Sequence, residues 1–141
     1  MSLAYLLDSS VVSVPISKRP SSHVLDRLSA SSGRCAISSH VWHELVYAVH
    51  LIPRGKRRDA LAAYLAEVVR VSFPILPYDD AAAAWHGEQR ARQQRARKPA
   101  PFVDGEIAAV AHTNTLTLAT LNPRHFRHFQ HLKVEDWSDA D

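Results

Sequence analysis

The feature that most constrains this chain is a series of short, unbroken apolar runs, each closed by turn-forming residues and separated from the next by helical patterning. Ala4-Tyr5-Leu6-Leu7 ends at Asp8-Ser9-Ser10, and Cys35-Ala36-Ile37-Ser38 follows the turn Gly33-Arg34. Phe73-Pro74-Ile75-Leu76 is a third run, and Thr117-Leu118-Ala119-Thr120-Leu121, closed by Asn122-Pro123, is a fourth. Four or five apolar residues without polar alternation suit a strand buried on both faces, the habit of parallel sheets. Pro74 cannot donate to a ladder, so the third run belongs at a sheet edge.

Helical spacing fills the intervals. Residues 21–30 read as a short helix capped by Ser22, with Val24, Leu25 and Leu28 on one side. Ser39 caps a longer helix through Val41, Leu45, Ala48 and Ile52, which Pro53 stops. Residues 56–71 form a second helix and make a hairpin with it. Asp79 or Asp80 caps a long helix to about Arg97, broken by Lys98-Pro99-Ala100-Pro101; residues 104–114 are helical again, and a helical turn and Leu132-Lys133-Val134 finish the chain. Strands alternating with helices predict an α/β fold with a mostly parallel sheet, in one domain over residues 1–141.

Composition removes several classes. Hydrophobic residues are 46% and charged residues 22%, which excludes a wholly disordered chain. The single Cys35 excludes an intramolecular disulfide framework and a cysteine-rich zinc module. No apolar run approaches the roughly 18 residues of a membrane span. The opening Met-Ser-Leu-Ala-Tyr-Leu-Leu-Asp has no basic start, so no signal peptide and no membrane association are expected, and the setting is expected to be cytoplasmic. Lys and Arg number 17 against 14 Asp and Glu, a net +3 that permits a polyanionic partner without requiring one.

The informative residues are acids. Asp8 lies at the carboxyl end of the first strand, where open parallel sheets bind ligands, although Asp-Ser-Ser is also good capping chemistry. Glu44 borders the apolar stripe of its helix, three residues after Val41 and four before Ala48; a glutamate there is paired, metal-bound or reaching for solvent. Asp104 opens a helix and is in line with Ile107, Ala108 and Ala111; the plain alternative is a helix cap. Three acids that converge repel one another and need a cation. All-oxygen ligands select a hard ion, Mg²⁺ or Mn²⁺, which can bind a phosphodiester oxygen and activate water.

The sequence resembles the PIN-domain family, and within it the VapC-type toxins of toxin–antitoxin pairs. The carrying segments are Tyr5-Leu-Leu-Asp8-Ser-Ser10, Ile37-Ser-Ser-His-Val-Trp-His-Glu44-Leu, Leu76-Pro-Tyr-Asp-Asp-Ala-Ala-Ala and Asp104-Gly-Glu-Ile-Ala-Ala109. Leu118-Ala-Thr-Leu-Asn122-Pro-Arg-His-Phe126 and Val134-Glu-Asp-Trp137 complete the series in family order. The resemblance implies a three-layer α/β/α fold, a Mg²⁺- or Mn²⁺-dependent ribonuclease, a cognate VapB-type antitoxin and a homodimer. Asp8, Glu44 and Asp104 match the family's metal-holding acids, and Ser10 the small polar position beside the first. Asn122 stands where many relatives carry Asp, so it brings an amide oxygen but no charge. This keeps open a catalytically silent module that binds antitoxin or RNA without cutting. Glu106, two residues past Asp104, is expected to face another way.

With water as nucleophile, the products would carry a 5′-phosphate and a 3′-hydroxyl. Arg124 and Arg127 follow Asn122 as candidate substrate contacts. Arg54, Lys56, Arg57 and Arg58 form one basic cluster, and Arg90, Arg92, Arg95, Arg97 and Lys98 another; each is either a phosphate contact or a solvated face. Trp42, Trp85 and Trp137 offer stacking surface or, more simply, packing. His40 and His43, and the series His125, His128 and His131, have zinc-compatible spacing but no flanking metal motif, and read as surface histidines. A histidine-based ribonuclease would work in chelator and leave cyclic phosphates. A phospho-acceptor Asp8 lacks the second aspartate two residues on that aspartyl phosphatases use.

Overall fold

Strand β1 (Tyr5–Leu7) is the middle of a five-stranded sheet in the computed structural model, which describes residues 2–138. β2 (Cys35–Ser38) and β3 (Ile75–Leu76) extend the sheet on one side, and β4 (Thr117–Thr120) and β5 (Val134–Asp136) on the other, giving the order β3-β2-β1-β4-β5. Every pairing is parallel, with Leu6 opposite Ala36 on one flank and Leu118 on the other. Leu6 and Leu7 point to opposite faces, and both are fully buried, so both faces of the sheet are covered. The fold is the expected three-layer α/β/α sandwich. β3 takes the edge, as Pro74 requires.

The chain leaves β1 at α1 (Ser9–Val12), a single turn that the apolar pattern did not announce, and a 3-10 turn, Val14–Ile16. α2 (Ser22–Ala30) is capped by Ser21, whose hydroxyl accepts from Val24 N–H, one residue earlier than expected. Gly33, at φ 80°, makes the turn into β2. α3 (Ser39–Leu51) is capped by Ser38 rather than Ser39, because the buried Ser38 hydroxyl accepts the Val41 N–H at 3.1 Å.

The expected helix over 56–71 is α4 (Lys56–Tyr64) followed by a π turn, Leu65–Val69, and α5 (Arg70–Ser72). The wide turn leaves Leu65 and Val69 buried, and Tyr64 donates to the Val12 carbonyl at 2.9 Å, tying this helix to the end of α1. α6 (Asp80–Arg95) is capped by Asp79. It ends two residues sooner than expected: Arg97 turns left-handed at φ 58°, and Lys98 N–H closes back on the Gln93 carbonyl. α7 (Phe102–Thr113) starts two residues before Asp104, so Asp104 sits within its first turn rather than at its cap. A 3-10 turn, Pro123–Phe126, precedes β5, which covers Val134–Asp136 and so lies two residues later than the expected Leu132-Lys133-Val134. Trp137 ends the sheet, buried edge-on against Tyr5.

Candidate active site

The chain builds β1, β2 and β3 in one direction and then returns across β1 to add β4 and β5. The strand order therefore reverses between β1 and β4, and a crevice opens outside their carboxyl ends. Asp8 follows β1 directly. Its backbone N–H donates to Ala119 of β4, and its carboxylate caps α1 by accepting from Ser9 N–H at 2.9 Å. The other carboxylate oxygen accepts from the Ser10 hydroxyl at 2.9 Å and the Thr120 hydroxyl at 2.8 Å. Ser10 in turn accepts the Leu121 N–H, which pins the start of α1 to the end of β4. Asp8 is thus a helix cap and a lining residue of the crevice at once.

Glu44 comes from the second turn of α3 and Asp104 from the first turn of α7. With Asp8, Ser9, Ser10, Ser13, Val103, Ile107, Asn122 and His125 they line one cavity of about 320 Å³. No Lys or Arg lines it. Burial is the main cause that raises the Glu44 carboxyl above its ordinary range; the charges of Asp8 and Asp104 add to it, and those of His40 and His43 oppose it. Asp104 is raised chiefly by burial and further by Asp8, against the opposing charge of His125. Neighbouring carboxylate charge thus adds to burial at both Glu44 and Asp104. Among the described residues, no three His, Cys, Asp or Glu side chains already form a ready metal-binding group. The three carboxylates are anionic oxygen donors, the kind a hard divalent ion takes, and His125 adds an imidazole nitrogen to the same lining.

A cavity of equal volume, lined by Trp42, Val46, Leu65, Arg70 and their neighbours, is apolar and touches none of the acids. The polar crevice, not this groove, carries the chemistry-bearing groups. Its frame also matches known proteins: the PIN domain family fits residues 5–132.

The chain belongs to the PIN domain family. Over 136 residues it is 33% identical to the tRNA(fMet)-specific endonuclease VapC of Shigella flexneri, covering 96% of this chain and 99% of that protein. FitAcB from Neisseria gonorrhoeae superposes with a TM-score of 0.86 at 28% identity, covering 94% of this chain and 97% of that chain. DNA-bound VapBC from Salmonella typhimurium gives 0.82 at 27% identity, covering 96% and 99%. This places the PIN domain with the VapC-type toxins.

Other sequence candidates separate in the structure of this PIN domain. Asn122 lines the acid crevice, whereas Arg124 lines an adjoining polar cavity with Leu121, Pro123 and Asp136. Asn122 and His125 border both, so the two cavities adjoin. Arg92 is used by the fold: it donates to Gln89 and to the His128 carbonyl. Arg90 lies over the Phe102 ring, and Arg58 donates to His50. Trp137 is core, Trp85 stacks on His112, and Trp42 faces Arg70. Among the described residues no helix is long and apolar enough to cross a membrane.

Three neighbours of the acids escaped the sequence reading. His40, read as a surface histidine, stands 3.3 Å from Glu44, and its spacing of four on one helix was the available signal. His125, within the 3-10 turn, lies 4.0 Å from Asp104. Thr120 reaches Asp8 only because β4 lies beside β1, and nothing local in the sequence gives that.

Proposed function

We propose that this PIN domain is a metal-dependent ribonuclease and the toxin of a toxin–antitoxin pair. The observation that carries the proposal is the meeting of Asp8, Glu44 and Asp104, from three distant stretches, in one crevice at the point where strand order reverses. Full-length relatives named as the tRNA(fMet)-specific endonuclease VapC and, in Haemophilus influenzae, ribonuclease VapC2 support it. Asp8, Glu44 and Asp104 would hold Mg²⁺ or Mn²⁺, which when bound offsets charge on the scissile phosphate and makes water a better nucleophile.

The chain's own residues set the stage. Asp8 is fixed by three donors and cannot swing out of the crevice without breaking them. Asn122 adds an amide oxygen at the border between the acid crevice and the adjoining cavity, and Arg124 offers its guanidinium to a neighbouring phosphate there. The backbone amides of the first turn of α7 give that end of the crevice partial positive charge.

The test is RNA cleavage by the purified chain with Mn²⁺ or Mg²⁺, beside Asp8→Asn. The proposal expects cleavage by the wild type that EDTA stops, 5′-phosphate products, and background activity in the variant. Cleavage in chelator with cyclic-phosphate ends would point to histidine chemistry instead. No cleavage by either protein would leave the silent module that the neutral Asn122 keeps open. Structural neighbours solved as FitAcB and VapBC support an antitoxin partner, expected to co-purify from a small reading frame adjoining this gene. A homodimer is proposed with it, to be read by light scattering as twice the mass of one chain.

A further inference from the structure

Glu44 is the least restrained of the three acids. Its side chain is 38% exposed, against 15% for Asp104, and it lacks the web of donors that holds Asp8. Fixing so long a side chain costs rotamer entropy, which a cation site must supply or find already supplied. His40 supplies it. One turn earlier on α3, its Nε2 lies 3.3 Å from Glu44 Oε1. Its Nδ1 lies 3.6 Å from Glu106 Oε1, which comes from α7. His40 and Glu106 are both largely covered, with 18% and 20% of their side chains exposed. The His43 ring lies nearly parallel to His40, 5.7 Å between centroids and with planes 10° apart. Two helices therefore place one imidazole between two carboxylates, Glu44 on α3 and Glu106 on α7.

We infer that His40 is a positioning residue for Glu44 and that Glu106 acts through His40, so that Glu106, His40 and Glu44 form a brace that presets the crevice for a divalent cation. The inference rests on the metal reading above. It gives Glu106 a role that its position two residues from Asp104 hides: Asp104 lines the crevice, while Glu106 turns to α3. Groups that hold a ligating carboxylate from behind typically change metal affinity by about 10- to 100-fold when removed. They act on the readiness of the site rather than on the reacting atoms.

The test is calorimetric titration of the full chain with Mn²⁺, with kcat measured separately at saturating Mn²⁺. His40→Ala is expected to weaken binding roughly 10- to 100-fold while kcat changes far less. His40→Gln, whose amide N–H stands near the place of Nε2, recovers most of the affinity. Glu106→Gln shows a smaller loss, and adding it to His40→Ala costs nothing more, because its effect passes through the imidazole. Wild-type affinity in His40→Ala, equal weakness in His40→Gln, or additive losses in the double variant would each overturn the brace. Should His40→Ala fail to fold by circular dichroism in EDTA, Glu106→Gln decides: weakened binding supports the brace and wild-type binding ends it. If the wild type itself binds no more Mn²⁺ than Asp8→Asn, the metal reading falls and the brace with it. A wild type that binds, beside His40 variants that bind equally well, removes the brace alone.

Discussion

The Asp8 carboxylate spends one oxygen on the Ser9 N–H and the other on the hydroxyls of Ser10 and Thr120. Thr120 is fully buried, so replacing it with the near-isosteric valine removes a donor to a charged acceptor with little change in packing. Thr120→Val is expected to lower the free energy of unfolding by about 1.5–3 kcal/mol in urea titration; unchanged stability would mean that Thr120 does not hold Asp8. His86 is a second residue whose surroundings set its chemistry. It is buried, its Nδ1 pairs with the Tyr78 hydroxyl at 2.8 Å, and its Nε2 has no hydrogen-bond partner among the described residues. Burial, with Arg90 adding to it, holds its pKa below the ordinary histidine value. The unfolded chain therefore takes up this proton more readily, and the stability His86 provides is present above the unfolded pKa and lost as pH falls through the lower folded one. Between about pH 7.5 and about pH 5.5, His86→Phe should lose less stability than the wild type. An equal slope in the two proteins would show that another group governs the acid limb.

At the scale of elements, α7 carries Asp104 into the crevice, and its placement depends on how closely α6 lets it approach. Gly105 is the contact: a Cβ there would fall 2.2 Å from His86 Nε2. That ring is bonded to Tyr78 and packed against Phe102, 4.7 Å between centroids, so it has little room to yield. Gly105→Ala is expected to push the two helices apart, costing about 1–3 kcal/mol of stability and lowering cleavage as Asp104 moves. Combining it with His86→Ala should restore part of the loss; a double variant worse than the sum would place the clash elsewhere. The same element shows how far sequence legibility reaches. The buried face of Ile107, Ala108 and Ala111 announced the helix, but its start was misplaced by two residues, because Pro101-Phe102 carries no side-chain cap to mark it. The π turn after Tyr64 was equally hidden, since a break in hydrogen-bond register leaves the apolar spacing almost unchanged.

For the whole molecule, a site made from three distant stretches of chain exists only when the chain is folded. A cation that binds it stabilises the native state alone. At a Mn²⁺ concentration about 100 times the dissociation constant, stability should rise by about 2.7 kcal/mol, read as a shift of the urea midpoint. Asp8→Asn should show none of this shift. A wild type indifferent to Mn²⁺ would remove the metal from the proposed function while leaving the fold untouched.

The sequence alone determined the class of fold, because short apolar runs such as Leu6-Leu7 and Ala36-Ile37, closed by turn residues and alternating with helical patterns, suit a sheet covered on both faces. It also marked Asp8, Glu44 and Asp104, since a charged residue at a strand end or beside a buried helical stripe stands out against local pattern. The tertiary structure decided their company. Thr120 beside Asp8 follows from β4 lying next to β1, and Glu106 against His40 from α7 meeting α3, across separations in sequence that no local periodicity spans. Strand order and helix docking are set by the burial of many side chains at once, and these contacts exist only in the assembled core.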